Sequence, residues 1–180
     1  MAFRLNLRYV RITIAAALML VVAVSAYVIV WQPGLVDQLI HPPHAPDNEL
    51  IANFHRHRAD FEKLREMILQ DKDLLRVTSN LTQPEDLRSI GISSVRIAEY
   101  RKLLKVLGIE GGVTASSDRA NVEFTTSFRG FVTHGSQKGY LYSTNPVTEP
   151  LAGLDQFSAT GVGIGLRHIE GNWYLFFEGY

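Results

Sequence analysis

Hydrophobic positions follow three successive spacings along this chain, and each spacing predicts a different element. From Ile12 to Trp31 there is no charged side chain and the run is apolar almost throughout. About 20 such residues span a bilayer core as a helix, so 12–31 predicts a transmembrane segment. Next, Leu50, Phe54, His57, Phe61, Leu64 and Ile68 recur at 4-3-4-3-4 spacing. That is one stripe of a single helix, capped by Asp47 or Asn48 and reaching about Gln70. Phenylalanine at two stripe positions suits a sheet better than a coiled-coil partner. His57 is the stripe's polar member, expected at the core edge with a hydrogen-bond partner, because a buried unpaired imidazole is costly.

Two shorter helices follow. Thr82-Gln-Pro-Glu85 has the form of a capping box with proline in the first turn, predicting a helix that Gly91 ends. A third helix is predicted from about Ser94 to Leu107, with Ile97, Tyr100, Leu104 and Leu107 on one face. Gly108 suits the left-handed position after it, with Ile109 returning to Leu104.

From Ala120 the period becomes two: Val122, Phe124, Thr126 and Phe128 alternate with polar residues until Gly130 breaks the phase as a bulge or a turn. Residues 131–133 and 140–143 read as strands around a 135–139 loop. The stretch 144–160, with Pro146 and Pro150, reads as a long irregular connection of the kind that is more often functional than decorative. A last hairpin, 161–169 and 172–180, is predicted around Glu170-Gly171. Its two-residue turn pairs Ile169 with Asn172, which sets Leu166 against Leu175 and Ile164 against Phe177 on the core face. Phe176 then covers Gly165, and Tyr174 lies beside Arg167. The fold class expected is α+β, with helices on one face of a four- or five-stranded antiparallel sheet. Helices ahead of a curved sheet also occur in cone-shaped ligand-binding folds, an analogy of architecture only.

Charge orients the apolar run. Arg4, Arg8 and Arg11 precede it, and the first charge beyond it is Asp37. This bias predicts the N-terminus in the cytoplasm and the C-terminal domain outside, periplasmic in a bacterium. The organisation expected is a basic leader (1–11), a single-pass signal-anchor helix (12–31), a Pro-rich linker (32–46) and an extracytoplasmic domain (47–180). Secretion after cleavage near Ala26 is the alternative, although apolar character continuing to Trp31 exceeds what an export signal needs. With the three leading arginines set aside, 15 basic residues face 18 acidic ones, which argues against a nucleic-acid surface. The absence of cysteine excludes disulfides, thiolate metal sites and thiol nucleophiles.

Little chemistry is written in motifs. Gly161-Val-Gly-Ile-Gly165 looks like a nucleotide-binding glycine string, but strand and hairpin follow it where a helix N-terminus is required. His41 and His44 lie in the proline-rich linker, where nothing fixes a geometry. His55 and His57 point to opposite sides of a helix, so no metal site is expected. The candidate ligand or partner residues are His57, with His134 and Lys138 at the predicted hairpin loop and Asp155 and Gln156 in the long connection. The leading functional expectation is a membrane-tethered, non-enzymatic accessory domain of an envelope complex. It needs no cofactor and has the bilayer, through 12–31, and a membrane protein as partners. The second is a small-ligand or sensor domain with a pocket between helices and sheet, which a cavity of a few hundred Å³ with inward polar groups would favour. The third, a hydrolase, needs a base within reach of a hydroxyl.

Overall fold

The computed structural model describes residues 17–25, 27, 43–131, 134–147, 149–156 and 162–180, with backbone alone at Gly130, Phe131 and His134. The chain forms two compact units, 1–43 and 44–180. In the first, 17–25 form helix α1. The rest of the predicted 12–31 span, Tyr27 apart, lies outside the described residues, as does His41. Among the described residues no helix is long and apolar enough to cross a membrane.

The second unit runs α2 (Asp47–Arg56), α3 (Arg58–Gln70), β1 (Arg76–Val77), β2 (Thr82–Gln83), α4 (Ser94–Leu107), β3 (Gly112–Ala115), β4 (Asn121–Phe131), β5 (His134–Ser143), β6 (Gly163–Glu170) and β7 (Trp173–Gly179). The strands make one open antiparallel sheet in the order β2-β1-β3-β4-β5-β7-β6. It is an α+β fold with seven strands rather than four or five. The additional strands β1, β2 and β3 are two to four residues long, too short to show a period of two.

Helix α4 forms where its signals place it. Ser93 accepts the Arg96 amide, Gly108 is left-handed at φ 68°, and the Ile109 amide returns to Leu104 O at 2.9 Å. The two other helix predictions are corrected. The Leu50–Ile68 stripe is carried by two helices, because the chain leaves helical geometry at His57 (φ −115°, ψ 25°). The stripe survives the break, with Leu50, Phe54, Phe61, Leu64 and Ile68 all buried. No helix starts at Thr82: Thr82 and Gln83 pair with Val77 and Arg76, and Leu75 donates to Gln83 O. A strand that has committed its amides and carbonyls sideways cannot also begin a helical ladder.

The strands also depart from prediction. The bulge in β4 lies between Thr125 and Ser127, not at Gly130, which pairs regularly with Gly135. It shifts the phase, so Ser127 and Arg129 follow Val122 and Phe124 on the inner face while Phe128 turns outward. The predicted 135–139 loop is part of β5. Gly139 there permits close strand approach, since a Cβ would sit 2.1 Å from Phe124 O.

The terminal register is one residue off the prediction. Glu170 pairs with Trp173 across Gly171 (φ 53°), a bulge follows between His168 and Glu170, and Arg167 then pairs with Leu175 and Gly165 with Phe177. A glycine at the first loop position suits a two-residue hairpin turn. Slipping by one exchanges the faces. Gly165 and Arg167 therefore point inward, Ile164 outward, Phe176 lies over Gly139, and His168 meets Tyr174 in place of Arg167.

The core lies on the inner face, where α2 and α3 lay Phe54 and Phe61 against Phe124, Tyr140 and Trp173, with centroids 4.6–6.1 Å apart. Their polar tips are satisfied: Tyr140 donates to Leu50 O at 2.9 Å and Trp173 Nε1 to Glu62 at 3.1 Å. Such ring clusters add to area burial through edge and face contacts.

Candidate functional site

Towards one end of the inner face the apolar rows give way to Ser127, Lys138 and Phe177, then to Arg129, Ser136 and Gly179. The segment His44–Asp47, leading into α2, is bound there. The His44 ring joins Ser127 Oγ (2.6 Å) and Ser136 Oγ (2.8 Å) and meets Phe177 edge-on. A neutral imidazole can donate to one hydroxyl and accept from the other. Burial, together with the charges of Arg129 and Lys138, lowers its pKa from 6.5 to about 4. The nearby cations therefore favour the neutral ring.

Three positions further along the chain, at Asp47, lies a buried ionic cluster. The side chains of Asp47 and Lys138 are each 1 % exposed, and Lys138 Nζ is 2.8 Å from Asp47 Oδ1. The same ammonium donates to Asp155 Oδ1 (2.9 Å) and to Ala45 O (3.0 Å). Asp47 Oδ2 accepts from Arg167 Nη1 (2.8 Å) and from the Leu154 amide (2.7 Å). The Asp47 amide in turn donates to the Asp155 carboxylate. Burial alone would raise the Asp47 carboxyl, but the Leu154 amide, Lys138 and Arg167 outweigh it and hold the pKa below the usual value. Two carboxylates offset two cations, the condition under which buried charge is tolerated. The predicted cap of α2 is thereby corrected. Pro46 occupies the cap position with no side-chain bond of its own, and Asp155, 108 residues away, takes the first free amide.

Beside this cluster an open cleft of about 380 Å³ lies between α2, the C-terminal end of α4 and β4. Leu50, Val106 and Leu107 supply apolar wall, Thr126 and Ser127 hydroxyls, and Glu49, Lys105, Glu110 and Arg129 charges of both signs. Asn53, also in the lining, donates from Nδ2 to Leu107 O and Tyr140 Oη. Ser127 belongs to both features, lining the cleft and holding His44.

Of the residues proposed from sequence, Lys138 and Asp155 come together, but Lys138 is a buried strand residue and not part of a loop. Gln156 is exposed beside Asp155. His57 sits at the α2–α3 break, 3.4 Å from Asp60 and apart from this cluster. His134 begins β5, and its side chain lies outside the described residues. Sequence reasoning missed Asp47, Arg167 and His44. In the sequence Asp47 reads as a cap, Arg167 falls on the outer face, and His44 lies in a linker without fixed geometry.

An imidazole 2.6 Å from a serine hydroxyl is the geometry a hydrolase needs. The surroundings oppose that use. Among the described residues the other ring nitrogen meets Ser136 and not an orienting carboxylate, and two cations disfavour the imidazolium that a general base must become. The Ser127–His44–Ser136 array reads as a structural clamp.

No protein-family model, curated protein sequence or solved structure matches this chain.

Proposed function

We propose that this chain is a non-enzymatic binding domain, anchored in a membrane by 12–31 with its C-terminal unit on the extracytoplasmic side. Its cleft takes a small dipolar ligand, with an ammonium or amide at one end and a carboxylate or similar acceptor at the other. The cleft carries this reading: about 380 Å³ falls within the usual range for small-molecule sites, with apolar wall and a few polar groups. Glu49 and Glu110 suit the positive end of such a ligand, Lys105 and Arg129 the negative end. The ionic cluster is the support, fixing the start of α2, and with it Glu49, Leu50 and Asn53, against the sheet.

Rigid support beneath an open cleft is what a binding site requires, because disorder in its walls would be lost affinity. The test is a titration of the full chain in detergent with a panel of amino acids and dipeptides, read by thermal shift, beside Val106→Trp. Val106 is half-exposed on the cleft wall, so an indole there fills the cleft without entering the core. A saturable shift in the wild type that Val106→Trp abolishes is expected. Equal shifts in both proteins would place binding elsewhere.

The tethered partner domain remains the second reading, favoured by the basic leader ahead of the long uncharged run. Capture of a defined membrane complex by the chain, unchanged in Val106→Trp, would favour it over the ligand reading.

A further inference from the structure

The face of the sheet turned away from the helices carries an apolar patch at the same end where His44 is held. Phe128, Gln137, Glu178 and Ile164 form one cross-strand row. They lie on the face opposite Ser127 and Ser136, because neighbouring strand residues alternate. Ile164 is 70 % exposed and Phe128 43 %, and Val162 (73 %) and Tyr180 (54 %) extend the patch beyond the row. Tyr180 is held to Gly135 by two backbone bonds of 2.9 Å, so the patch has a fixed backbone. Scattered exposed apolar residues need no explanation, but four at one end of a single sheet face do.

We propose that this patch rests on the lipid surface of the membrane in which the chain is anchored, at the boundary between headgroups and acyl chains. The inference rests on the anchor reading of 12–31. His44, bound to Ser127 and Ser136 on the reverse of the same strands, is 13 residues from Trp31. At 3.3–3.6 Å per residue that chain reaches on the order of 45 Å at most. Confinement within such a distance supplies lipid at high effective concentration at all times, so even weak apolar burial suffices. Tyr180, an apolar ring with a polar tip, suits an interface where one side is apolar and the other wet, and Phe128 adds apolar area beside it. The row's carboxylate, Glu178, is bonded to Gln137 at 2.5 Å, and its charge directs the choice to net-neutral lipid. Attachment comes from apolar contact, not from a basic patch.

The natural chain has no cysteine, so single-site labelling is clean. The full chain carrying Ile164→Cys, labelled with a polarity-sensitive fluorophore, is placed in phosphatidylcholine nanodiscs with and without nitroxide on the acyl chains. Val95→Cys on α4, 73 % exposed, is the control. The expected result is a blue-shifted Ile164 label that loses most of its emission to the nitroxide lipid, with the Val95 label unaffected. A chain that co-elutes with nanodiscs while neither label is quenched overturns the lipid contact and leaves the anchor standing. A chain that fails to co-elute overturns both. An Ile164 label that is unquenched in pure lipid but blue-shifted in native membranes assigns the patch to a protein and refutes the proposal.

Discussion

Replacing Lys138 with methionine tests the ionic cluster most sharply, because the stem is matched in length and the ammonium alone is removed. Lys138 is 1 % exposed and contacts Asp47, Asp155 and Ala45 O. Three consequences follow from those distances. Asp155 is half-exposed, so it recovers water and loses little. Asp47 Oδ2 keeps Arg167 and the Leu154 amide, but Asp47 Oδ1 and Ala45 O are left in the interior without the ammonium. Breaking one side of a buried pair costs about 3–5 kcal/mol, and the surviving Oδ2 bonds place this case near ~3 kcal/mol. At about 3–6 °C per kcal/mol for a domain of this size, Tm should fall by roughly 10–15 °C. Thermal melts of the full chain in detergent, followed by near-ultraviolet circular dichroism, measure it. The Asp47→Asn, Lys138→Met pair should lose less than the sum of the single variants, because the charge orphaned by the second change is already gone. A Lys138→Met loss under about 1 kcal/mol, or strict additivity in the pair, would show that the cluster is not buried and mutually supporting.

Acid should weaken the domain in two stages. The His44 imidazole is lowered from 6.5 to about 4, so the unfolded chain takes up a proton first, and stability falls as pH drops from 6.5 towards 4 and is unaffected above. The lowered Asp47 carboxyl contributes stability above its unfolded value and loses it as pH falls through its folded value. His44→Gln should flatten the first stage alone in denaturant melts across pH, and an unchanged slope would contradict the placement of the ring. Gly139→Ala should destabilise by about 3 kcal/mol, since its Cβ meets the Phe124 carbonyl and backbone cannot yield as a side chain does. Gly108→Ala should cost only about 1 kcal/mol, from left-handed φ alone, because nothing lies within 4 Å of the added carbon. Equal costs at the two glycines, measured by chemical denaturation, would undo that distinction.

What the sequence revealed was local. Helix α4 could be placed because its apolar stripe and its C-terminal glycine lie within 12 residues of one another. In the sequence Lys138 and Asp155 read as loop residues; the structure places Lys138 on a strand, where it contacts Asp155. The partners that give them meaning are remote: His44 meets Ser127 across 83 positions and Asp47 meets Arg167 across 120. Such contacts depend on strand register, and register here turns on two one-residue bulges, at Thr126 and Ile169. Neither bulge has a signature in hydrophobic period, and each reverses the face of what lies beyond it. With Ile169 counted as a regular strand residue, Arg167 pointed outward and the cluster lost a cation. The break at His57 was equally silent, since the stripe of buried residues passes through it.

The cleft between α2, α4 and β4 is proposed to hold a small dipolar ligand. Native mass spectrometry of the full chain, released in mild detergent from the membranes that make it, tests this most directly. The expected result is a discrete small-molecule adduct on the wild type that is missing from Val106→Trp at unchanged stability. A bare mass for both proteins, or the same adduct on both, would contradict it.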